Sequence, residues 1–365
     1  MFTSDVTERS SAEPGQPARV LDPRGRFLGI AHYNSASQIT IRLLTRHNEP
    51  IDRAFYKRRI EAAAAHRSRI VENSEACRLI FSEADLLPGL IVDRYANYFV
   101  VQNLTQSMDA AKQMIAEILV ELFQPDGILF RNDAPIRKQE DLPLETSWFP
   151  GSIETAKVTV RMNGIEFEAD LVQGQKTGVY LDQRENYVAV ARHAHGRALD
   201  CFTSTGGFAL HLAKNCDSVL AIDSSTHAIE TARTSAARNG ITKIEFREAN
   251  VFDYLAGDQG RYDTIILDPP AFTKSRAGLE GATRGYKDIN FRALRLLEPG
   301  GVLVTCSCSH HMSEAMLLET IASAALDTGR NLRILERRTQ AADHPILLTV
   351  PETLYLKCLI FQVLS

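Results

Sequence analysis

The sequence predicts an α/β protein: a doubly wound parallel sheet in the last two hundred residues, preceded by a central α+β domain and a small N-terminal β domain. From Arg197 onward, short apolar strands alternate with segments of helical composition, which is typical of a parallel sheet with helices on both faces. The chain has 365 residues, 44% of them hydrophobic, so it is long enough and apolar enough for several cores.

Charge and cysteine usage narrow the class of protein. The net charge is -4, so no global positive field draws the chain onto nucleic acid, and any such contact must be a local patch. The six cysteines are scattered apart from one close pair, unlike a secreted disulfide framework. No signal-peptide pattern and no run of eighteen apolar residues is present. We therefore expect a cytoplasmic protein without a membrane partner.

The first half of the chain divides into two predicted domains. Alternating strands at ARVLD, FLGIAHYN and QITIRLLT form a small β unit within residues 1–50. Residues 51–165 begin with a helix over 51–72 and continue as an α+β domain with a helix at Asp109 to Phe123 and a strand at Gly127 to Phe130. The hairpin KVTVRMNGIEFEADL, with an Asn-Gly type I′ turn, leads into the last domain, residues 166–365.

The last domain begins its sheet with the segment LDCFTSTGGFALHLA, a strand, a small-residue loop and a helix. Gly206 and Gly207 stand where the backbone turns and approaches a ligand. The segment is not the GxGxxG fingerprint, so a dinucleotide is less favoured. The next strand ends on Asp223, whose carboxylate suits a ribose diol. The alternatives are an ordinary glycine turn and a helix N-cap.

Two later strand ends also carry candidate residues. After the third strand, Asn250 has an amide oxygen that can accept an adenine amino group, and Val251 or Phe252 supplies an apolar wall. Asp268, followed by Pro269 and Pro270, ends the fourth strand. A carboxyl group at this rim can pair with a ring nitrogen and amino group of a target base. The alternative for the two prolines is a purely structural turn. The ring of Phe272 could stack on the base, and its alternative is packing in the core.

The fifth strand ends with two thiols, Cys306 and Cys308, in the segment GVLVTCSCSHHMS. Cytosine C5 becomes nucleophilic when a thiolate adds to C6, so a cysteine at this rim indicates C5 methylation. The spacing also permits a metal site with the two following histidines, but no second cysteine pair follows, and we expect no metal. Buried, inert thiols remain the stronger alternative.

Polar residues on either side of these motifs are candidates for the substrate cleft. The segment FEADLVQGQKTGVYLDQREN precedes the first strand of the sheet, and TKSRAGLEGATRGYKDIN follows the proline motif with basic residues suited to phosphates. The expected substrate-binding residues are Gln175, Tyr180, Gln183, Arg184, Pro269, Phe272, Lys274 and Arg276. A solvated loop is the alternative for each residue taken singly.

With these motifs in view, the chain resembles the large-subunit ribosomal RNA methyltransferase I family, which makes 5-methylcytosine in 23S rRNA. The marks are DPRGRFLGIAHYN, LPGLIVDRY, GQKTGVYLDQREN, DCFTSTGGFALH, DPPAFTKS, GYKDIN, TCSCSHH and DHPILLTVPETLYLK. The resemblance implies a PUA RNA-binding domain, here expected to be incomplete, a central α+β domain and a Rossmann-like class I methyltransferase domain.

The resemblance also implies the roles of the site residues. S-adenosylmethionine (SAM) is the expected methyl donor, and 23S rRNA is the expected partner. Asp268 is expected to orient the base and Cys306 to be the nucleophile, with Cys308 as second choice. The residues expected to bind SAM are Asp200, Phe202, Thr203, Gly206, Gly207, Asp223, Asn250, Val251 and Asp268. Asn250 departs from the family pattern, where an aspartate is usual.

Three other functions stay open on the sequence. A base-nitrogen methyltransferase would use Asp268 and the two prolines to position an amino group of guanine or adenine, with the cysteines only packing. A non-catalytic RNA-binding factor would keep the fold without turnover. A nicotinamide dehydrogenase is a distant third, since its fingerprint is absent. A homodimer also stays open as an assembly.

Overall fold

The structure is a computed structural model that describes residues 1–9, 11–273 and 276–364. The chain forms two compact units. The first comprises Met1–Val160, Ala169–Gly178 and Asp343–Thr353, and the second comprises Arg161–Glu168, Val179–Ala342 and Leu354–Ser365. The domain boundaries expected at residues 50 and 165 stay predictions.

The first unit begins with the small β structure that the sequence predicts. Its three strands are antiparallel neighbours in the order β1-β2-β3: β1 (Pro17–Leu21), β2 (Phe27–Tyr33) and β3 (Ile41–Thr45). The Asp22 carboxylate accepts the backbone N–H groups of Arg24 and Arg26 and so closes the turn between the first two strands. Strands β2 and β3 contribute a small core of Ala31, Tyr33 and Ile41.

The predicted helix that follows is α1 (Arg53–Ile70), which begins where the Asp52 side chain accepts the N–H of Phe55. A five-stranded sheet in the order β4-β5-β6-β7-β8 lies in the same unit. Its strands are β4 (Ala76–Phe81), β5 (Leu90–Tyr95), β6 (Tyr98–Asn103), β7 (Gly127–Asn132) and β8 (Glu145–Trp148). Two short helices, α2 (Gln106–Ala110) and α3 (Lys112–Phe123), replace the single predicted helix because the chain turns at Ala111.

The Asn-Gly hairpin forms as predicted. Strands β9 (Lys157–Met162) and β10 (Ile165–Asp170) pair as a two-stranded sheet. Asn163 and Gly164 both have positive φ angles, 54° and 80°, as a type I′ turn requires.

The second unit is built on a seven-stranded sheet in the order β13-β12-β11-β14-β15-β17-β16. The strands are β11 (Arg197–Cys201), β12 (Ser218–Asp223), β13 (Ile244–Glu248), β14 (Tyr262–Leu267), β15 (Leu297–Ser307), β16 (Leu332–Arg338) and β17 (Lys357–Val363). The helices are α4 (Arg184–His193), α5 (Gly207–Leu212), α6 (Thr226–Arg238), α7 (Val251–Gly257), α8 (Leu279–Leu296) and α9 (Glu314–Thr328). The first five strands are parallel neighbours, which confirms the predicted fold class.

The last strand differs from the expectation of a purely parallel sheet. β17 lies between β15 and β16 and is antiparallel to both. Its apolar segment CLIF has no alternation that reveals a direction, and its partners lie far away in the sequence. The insertion brings Lys357 opposite Ser307 and Cys358 opposite Cys306.

The described part of the chain offers neither a metal site nor a membrane-spanning helix. Within residues 1–9, 11–273 and 276–364, no group of three or more His, Cys, Asp or Glu side chains is arranged to hold a metal ion. No helix in these ranges has the length and apolar character needed to cross a bilayer.

Candidate active site

The candidate residues follow the strands of the second unit at one edge of its sheet. The parallel strands β11, β13, β14 and β15 are followed by Thr203, Asn250, Asp268 and Cys308, and β12 ends on Asp223. Because the carboxyl ends of parallel strands share an edge, these side chains form one neighbourhood, where ligands bind in open α/β sheets.

The loop after β11 is organised around Asp200. This side chain is fully buried, and its Oδ2 accepts the hydroxyl of Thr203 at 2.6 Å and the N–H of Ala209 at 3.0 Å. Burial, joined by the charge of Asp268, raises the pKa of Asp200 to about 7. Its Oδ1 has no hydrogen-bond partner among the described residues, nor has the buried Oγ of Ser204.

The same loop is tightly folded. Phe202, Ser204 and Gly206 have φ angles of 63°, 49° and 82°, in the left-handed region that glycine tolerates best. At Gly207, an added Cβ would lie 2.3 Å from the ring of Tyr187, so only glycine fits there. The sequence singled out both glycines but not Tyr187, because the contact joins two helices.

Asp223 closes the loop from the neighbouring strand. Its Oδ2 accepts the N–H of Ser204 and its Oδ1 accepts the N–H of Ser225, both at 2.9 Å. The side chain is half-buried, and each carboxylate oxygen keeps a second lone pair. The carboxylate is therefore fixed in place and still able to accept hydroxyl groups.

The segment after β13 contributes a cap and an aromatic ring. Asn250 is exposed, and its Oδ1 accepts the N–H groups of Phe252 and Asp253 at the start of α7. The Asn250 oxygen that was expected to accept a hydrogen bond from an adenine amino group thus already accepts two hydrogen bonds from backbone N–H groups. Val251 is buried in the core, whereas Phe252 is 37% exposed and its ring lies 6.0 Å from that of Phe202. Of the two residues expected to form an apolar wall, Phe252 is therefore the more accessible, and the role of Val251 stays a prediction.

Asp268 is held by the segment that precedes α4. The Nε2 of Gln183 donates to Asp268 Oδ2 at 3.1 Å, and the Gln183 Oε1 accepts Asn186 Nδ2 at 2.6 Å. This second bond fixes which way the amide of Gln183 points. Asp268 is half-buried and Pro269 is buried. Gln183 thus fixes the orientation of the Asp268 carboxyl group at the edge of the sheet.

The two thiols after β15 lie in different environments. Cys306 is fully buried opposite Cys358, and burial raises its pKa well above the ordinary value. Cys308 is half-buried and lies just past the end of the strand. Of the six cysteines, Cys308 is the one that is not buried.

The other predicted substrate residues differ in exposure and belong to different units. Gln175 is exposed in the first unit, whereas Tyr180 is half-buried and Arg184 is 2% exposed in the second. Lys274 lies outside the described residues, and so does the side chain of Arg276.

Phe272 belongs to a line of aromatic contacts. Its ring centroid lies 5.8 Å from that of Phe252 and 4.6 Å from that of Tyr286. The hydroxyl of Tyr286 donates to Ser307 Oγ at 2.8 Å. Tyr286 was missed in the sequence because GYKDIN has no feature that distinguishes a site residue from a core tyrosine.

The closing segment of the chain supplies further residues that the sequence did not assign. The hydroxyl of Tyr355 donates to Asp182 Oδ2 at 2.6 Å, and the Nζ of Lys357 donates to the Ser309 carbonyl at 2.8 Å. The available signal was the motif LYLK, in which a polar residue begins an apolar strand.

Comparisons with known proteins agree with this architecture. Residues 140–362 match the family model of S-adenosylmethionine-dependent methyltransferases, and residues 1–46 match that of PUA-like domains. The ribosomal RNA large subunit methyltransferase I of Shewanella amazonensis is 41% identical over 359 residues, which cover 96% of this chain and 91% of that protein. The protein of the same name from Vibrio cholerae is 40% identical over 354 residues, 94% of this chain and 89% of the relative.

Solved structures show the same fold. A structure from Streptococcus mutans, described as a SAM-dependent methyltransferase, has a TM-score of 0.84 and 17% identity; the match covers 100% of this chain and 95% of that one. A methyltransferase structure with bound SAH has the same score and identity, with 97% and 93% coverage.

Proposed function

Because the chain belongs to the ribosomal RNA large subunit methyltransferase I family and is SAM-dependent, we propose that it methylates C5 of a cytosine in 23S rRNA through a cysteine adduct at C6. The observation that carries this proposal is Cys308. It is the cysteine that is not buried, and it follows β15 at the edge of the sheet where Asp223 and Asp268 also lie.

The residues at the strand ends fit SAM. When bound, SAM supplies an electrophilic methyl group on a sulfonium sulfur. Asp223 would accept the ribose hydroxyls, and the rings of Phe202 and Phe252 would flank the adenine. The buried Asp200 Oδ1 and Ser204 Oγ, which have no partner within the described ranges, would accept hydrogen bonds from the ammonium group of the methionine moiety.

The chemistry that we propose is nucleophilic catalysis. The cysteine thiolate would add to C6 of cytosine, and the electron pair of the C5–C6 double bond would make C5 the nucleophile that takes the methyl group, while the SAM sulfur leaves as a neutral thioether. Transfer of the C5 proton to a base or to water would then re-form the double bond and expel the thiolate. Asp268, oriented by Gln183, would hold the base by hydrogen bonds to its ring nitrogen and amino group.

The choice between the two thiols rests on access. The resemblance assigns the nucleophile to Cys306, but a thiol that is 0% exposed with a raised pKa is poorly suited to attack a base. The partial exposure of Cys308 supports that residue as the nucleophile. We therefore propose Cys308 first and keep Cys306 as the alternative.

The test is to incubate the protein with labelled SAM and unmodified 23S rRNA, digest the RNA to nucleosides and identify the labelled product by mass spectrometry. Cys308→Ser and Cys306→Ser form a matched pair two residues apart. We expect 5-methylcytosine from the wild type, at least about 1000-fold less from Cys308→Ser, and substantial activity from Cys306→Ser. The reverse pattern would return the role to Cys306.

The second candidate is a base-nitrogen methyltransferase. It is favoured by the Gln183–Asp268 pair beside two prolines, which could hold an exocyclic amino group without any thiol. Label on guanine or adenine, with both serine variants active, would support this alternative and overturn the adduct. Absence of label from all RNA, with no SAM binding, would favour a non-catalytic RNA-binding factor.

The N-terminal sheet is proposed to contact RNA. Arg19, Arg24, Arg26 and Arg46 are exposed on or beside strands β1, β2 and β3, with Arg26 ion-paired to Asp22, and we propose that they act together as a local basic patch in a chain whose net charge is -4. Such a patch suits phosphate groups. A ribosomal RNA substrate also supports a cytoplasmic location for the protein. The homodimer kept open by the sequence stays a prediction.

A further inference from the structure

Lys357 is a buried lysine beside the proposed nucleophile. It is 6% exposed and begins β17, opposite Ser307 in the register with β15. Its Nζ donates to the carbonyl of Ser309 at 2.8 Å and to that of Tyr355 at 2.9 Å. Since Ser309 directly follows Cys308, these two bonds fix the nitrogen beside the backbone that carries the thiol.

The charge of Lys357 has no carboxylate partner among the described residues. Within the part of the chain that the structure describes, no Asp or Glu oxygen forms an ion pair with its Nζ, although the charge of Glu314 acts on it from the start of α9. A buried ammonium without a counter-ion is unfavourable. Burial accordingly lowers the pKa of Lys357 to about 8, whereas a Cys308 thiolate would raise it. Because a Coulomb interaction is mutual, the ammonium favours the thiolate equally.

Two tyrosines near Cys308 do not supply this charge. The Tyr180 and Tyr286 hydroxyls also sense the charges of Cys308 and Asp268, but both tyrosines have raised pKa values and stay neutral at physiological pH. A carboxylate at Asp268 would oppose a second negative charge in the site. Lys357 is thus the cation that offsets the thiolate among these neighbouring groups.

We propose that Lys357 is a positioning residue whose ammonium, held by two backbone carbonyls, stabilises the Cys308 thiolate. The thiol proton passes to water on the exposed side of Cys308, and Lys357 keeps its own proton, so the site gains a neutral ion pair. This role rests on the proposed function, because it matters to catalysis only if Cys308 attacks the base.

The test measures thiol reactivity without RNA or SAM. The full-length protein is alkylated with iodoacetamide from about pH 6 to 10, and the peptide that carries Cys308 is quantified by mass spectrometry. In the wild type we expect the half-maximal rate below about pH 8.5, the ordinary cysteine value, and in Lys357→Met a shift upward of about one unit, or about tenfold slower alkylation at pH 7. Lys357→Arg keeps the charge and should restore most of the effect.

Lys243→Met is the matched control, because Lys243 donates to the backbone carbonyl of Cys216, elsewhere in the same unit. It should leave the Cys308 profile unchanged. A wild-type midpoint at or above about 8.5, or identical profiles for wild type and Lys357→Met, would overturn the proposal. If Lys357→Met fails to fold, the pH midpoints of Cys308 alkylation in the wild type and in Lys357→Arg test the proposal instead.

The two proposals fail separately. A thiol activated by Lys357 in a protein that makes no 5-methylcytosine would overturn the proposed function alone. A protein that makes 5-methylcytosine through Cys308, with alkylation indifferent to Lys357, would overturn this inference alone.

Discussion

Gly285 on α8 lies against the ring of Phe272, so that a Cβ added at residue 285 would be 3.1 Å from the Cδ2 of that ring and 3.3 Å from its Cε2. Because Gly285 has no side chain, the ring of Phe272, the first aromatic ring after the Asp-Pro-Pro motif, can lie directly against the helix. Gly281, one turn earlier on the same helix, has nothing within 4 Å of the same position.

These two glycines give a matched pair of substitutions. Gly281→Ala should raise the free energy of unfolding by about 0.5–1 kcal/mol, because alanine favours a helix over glycine. Gly285→Ala gains the same preference but must displace Phe272 by a few tenths of an ångström. We expect Gly285→Ala to lower kcat/KM several-fold while Gly281→Ala leaves it unchanged, as measured with labelled SAM and rRNA. Equal activity of the two variants would mean that the ring position does not matter.

Asp223→Asn should weaken SAM binding. The amide keeps one acceptor oxygen, but its NH2 group then faces either the Ser204 or the Ser225 N–H, and the charge that favours hydroxyl donors is absent. We expect the Kd for SAM to rise at least tenfold by isothermal titration calorimetry. Asp253→Asn, at an exposed acid in the first turn of α7, is the control and should bind as the wild type does. An unchanged Kd in Asp223→Asn would remove this residue from the cofactor site.

His211 makes stability depend on pH. Its Nδ1 lies 2.8 Å from the Gly207 carbonyl, and burial lowers its pKa from 6.5 to about 4. The unfolded chain therefore binds a proton at about pH 5 that the folded chain does not, so stability falls as the pH drops from 6.5 toward 4. At pH 5 the loss is about 2 kcal/mol.

His211→Gln should remove that component. Chemical denaturation followed by circular dichroism at about pH 7.5 and pH 5 should give a smaller acid-induced loss for this variant than for the wild type. His195→Gln, at an exposed histidine, should keep the wild-type dependence. If His211→Gln loses as much stability as the wild type, its imidazole does not resist protonation in the folded state.

The arginines of the N-terminal sheet should control RNA affinity. Replacing Arg24 and Arg46 by alanine should weaken rRNA binding and reduce the slope of log K against log salt by about one for each phosphate that is no longer neutralised. SAM binding should not change. Arg295→Ala is the control, because Arg295 lies in the last turn of α8 just before β15, at the edge of the sheet opposite the strand carboxyl ends. Unchanged RNA affinity in the double variant would argue against the patch.

Local signals in the sequence predicted the parts of the fold that depend on neighbouring residues. The Asn163-Gly164 turn and the glycines of the loop after β11 were found because backbone conformation there demands particular residues. The parallel strands followed from alternation of apolar and helical segments. Each strand, helix or turn of this pattern is recognised within a window of about 11–18 residues.

The relationships that define the site are encoded over longer distances. Gln183 and Asp268 are 85 residues apart, and no local pattern joins them. The burial of Cys306 depends on a strand that ends near residue 363, because Cys358 lies opposite it. Two cysteines separated by one residue look equivalent in the sequence, and only the neighbouring strand determines which of them is exposed.

The insertion of β17 between β15 and β16 also constrains how the protein is made. The ribosome synthesises this strand after every other strand of the sheet, so β16 has no partner until residues 357–363 emerge. Strand pairing between residues so far apart in the sequence is slow. Until β17 pairs, one edge of β15 and one edge of β16 stay exposed in the nascent chain. Lys357 is part of the same strand. The proposed ammonium therefore lies beside Cys308 only after β17 has paired with β15 and β16. In a nascent chain without β17, Cys308 would be an ordinary thiol.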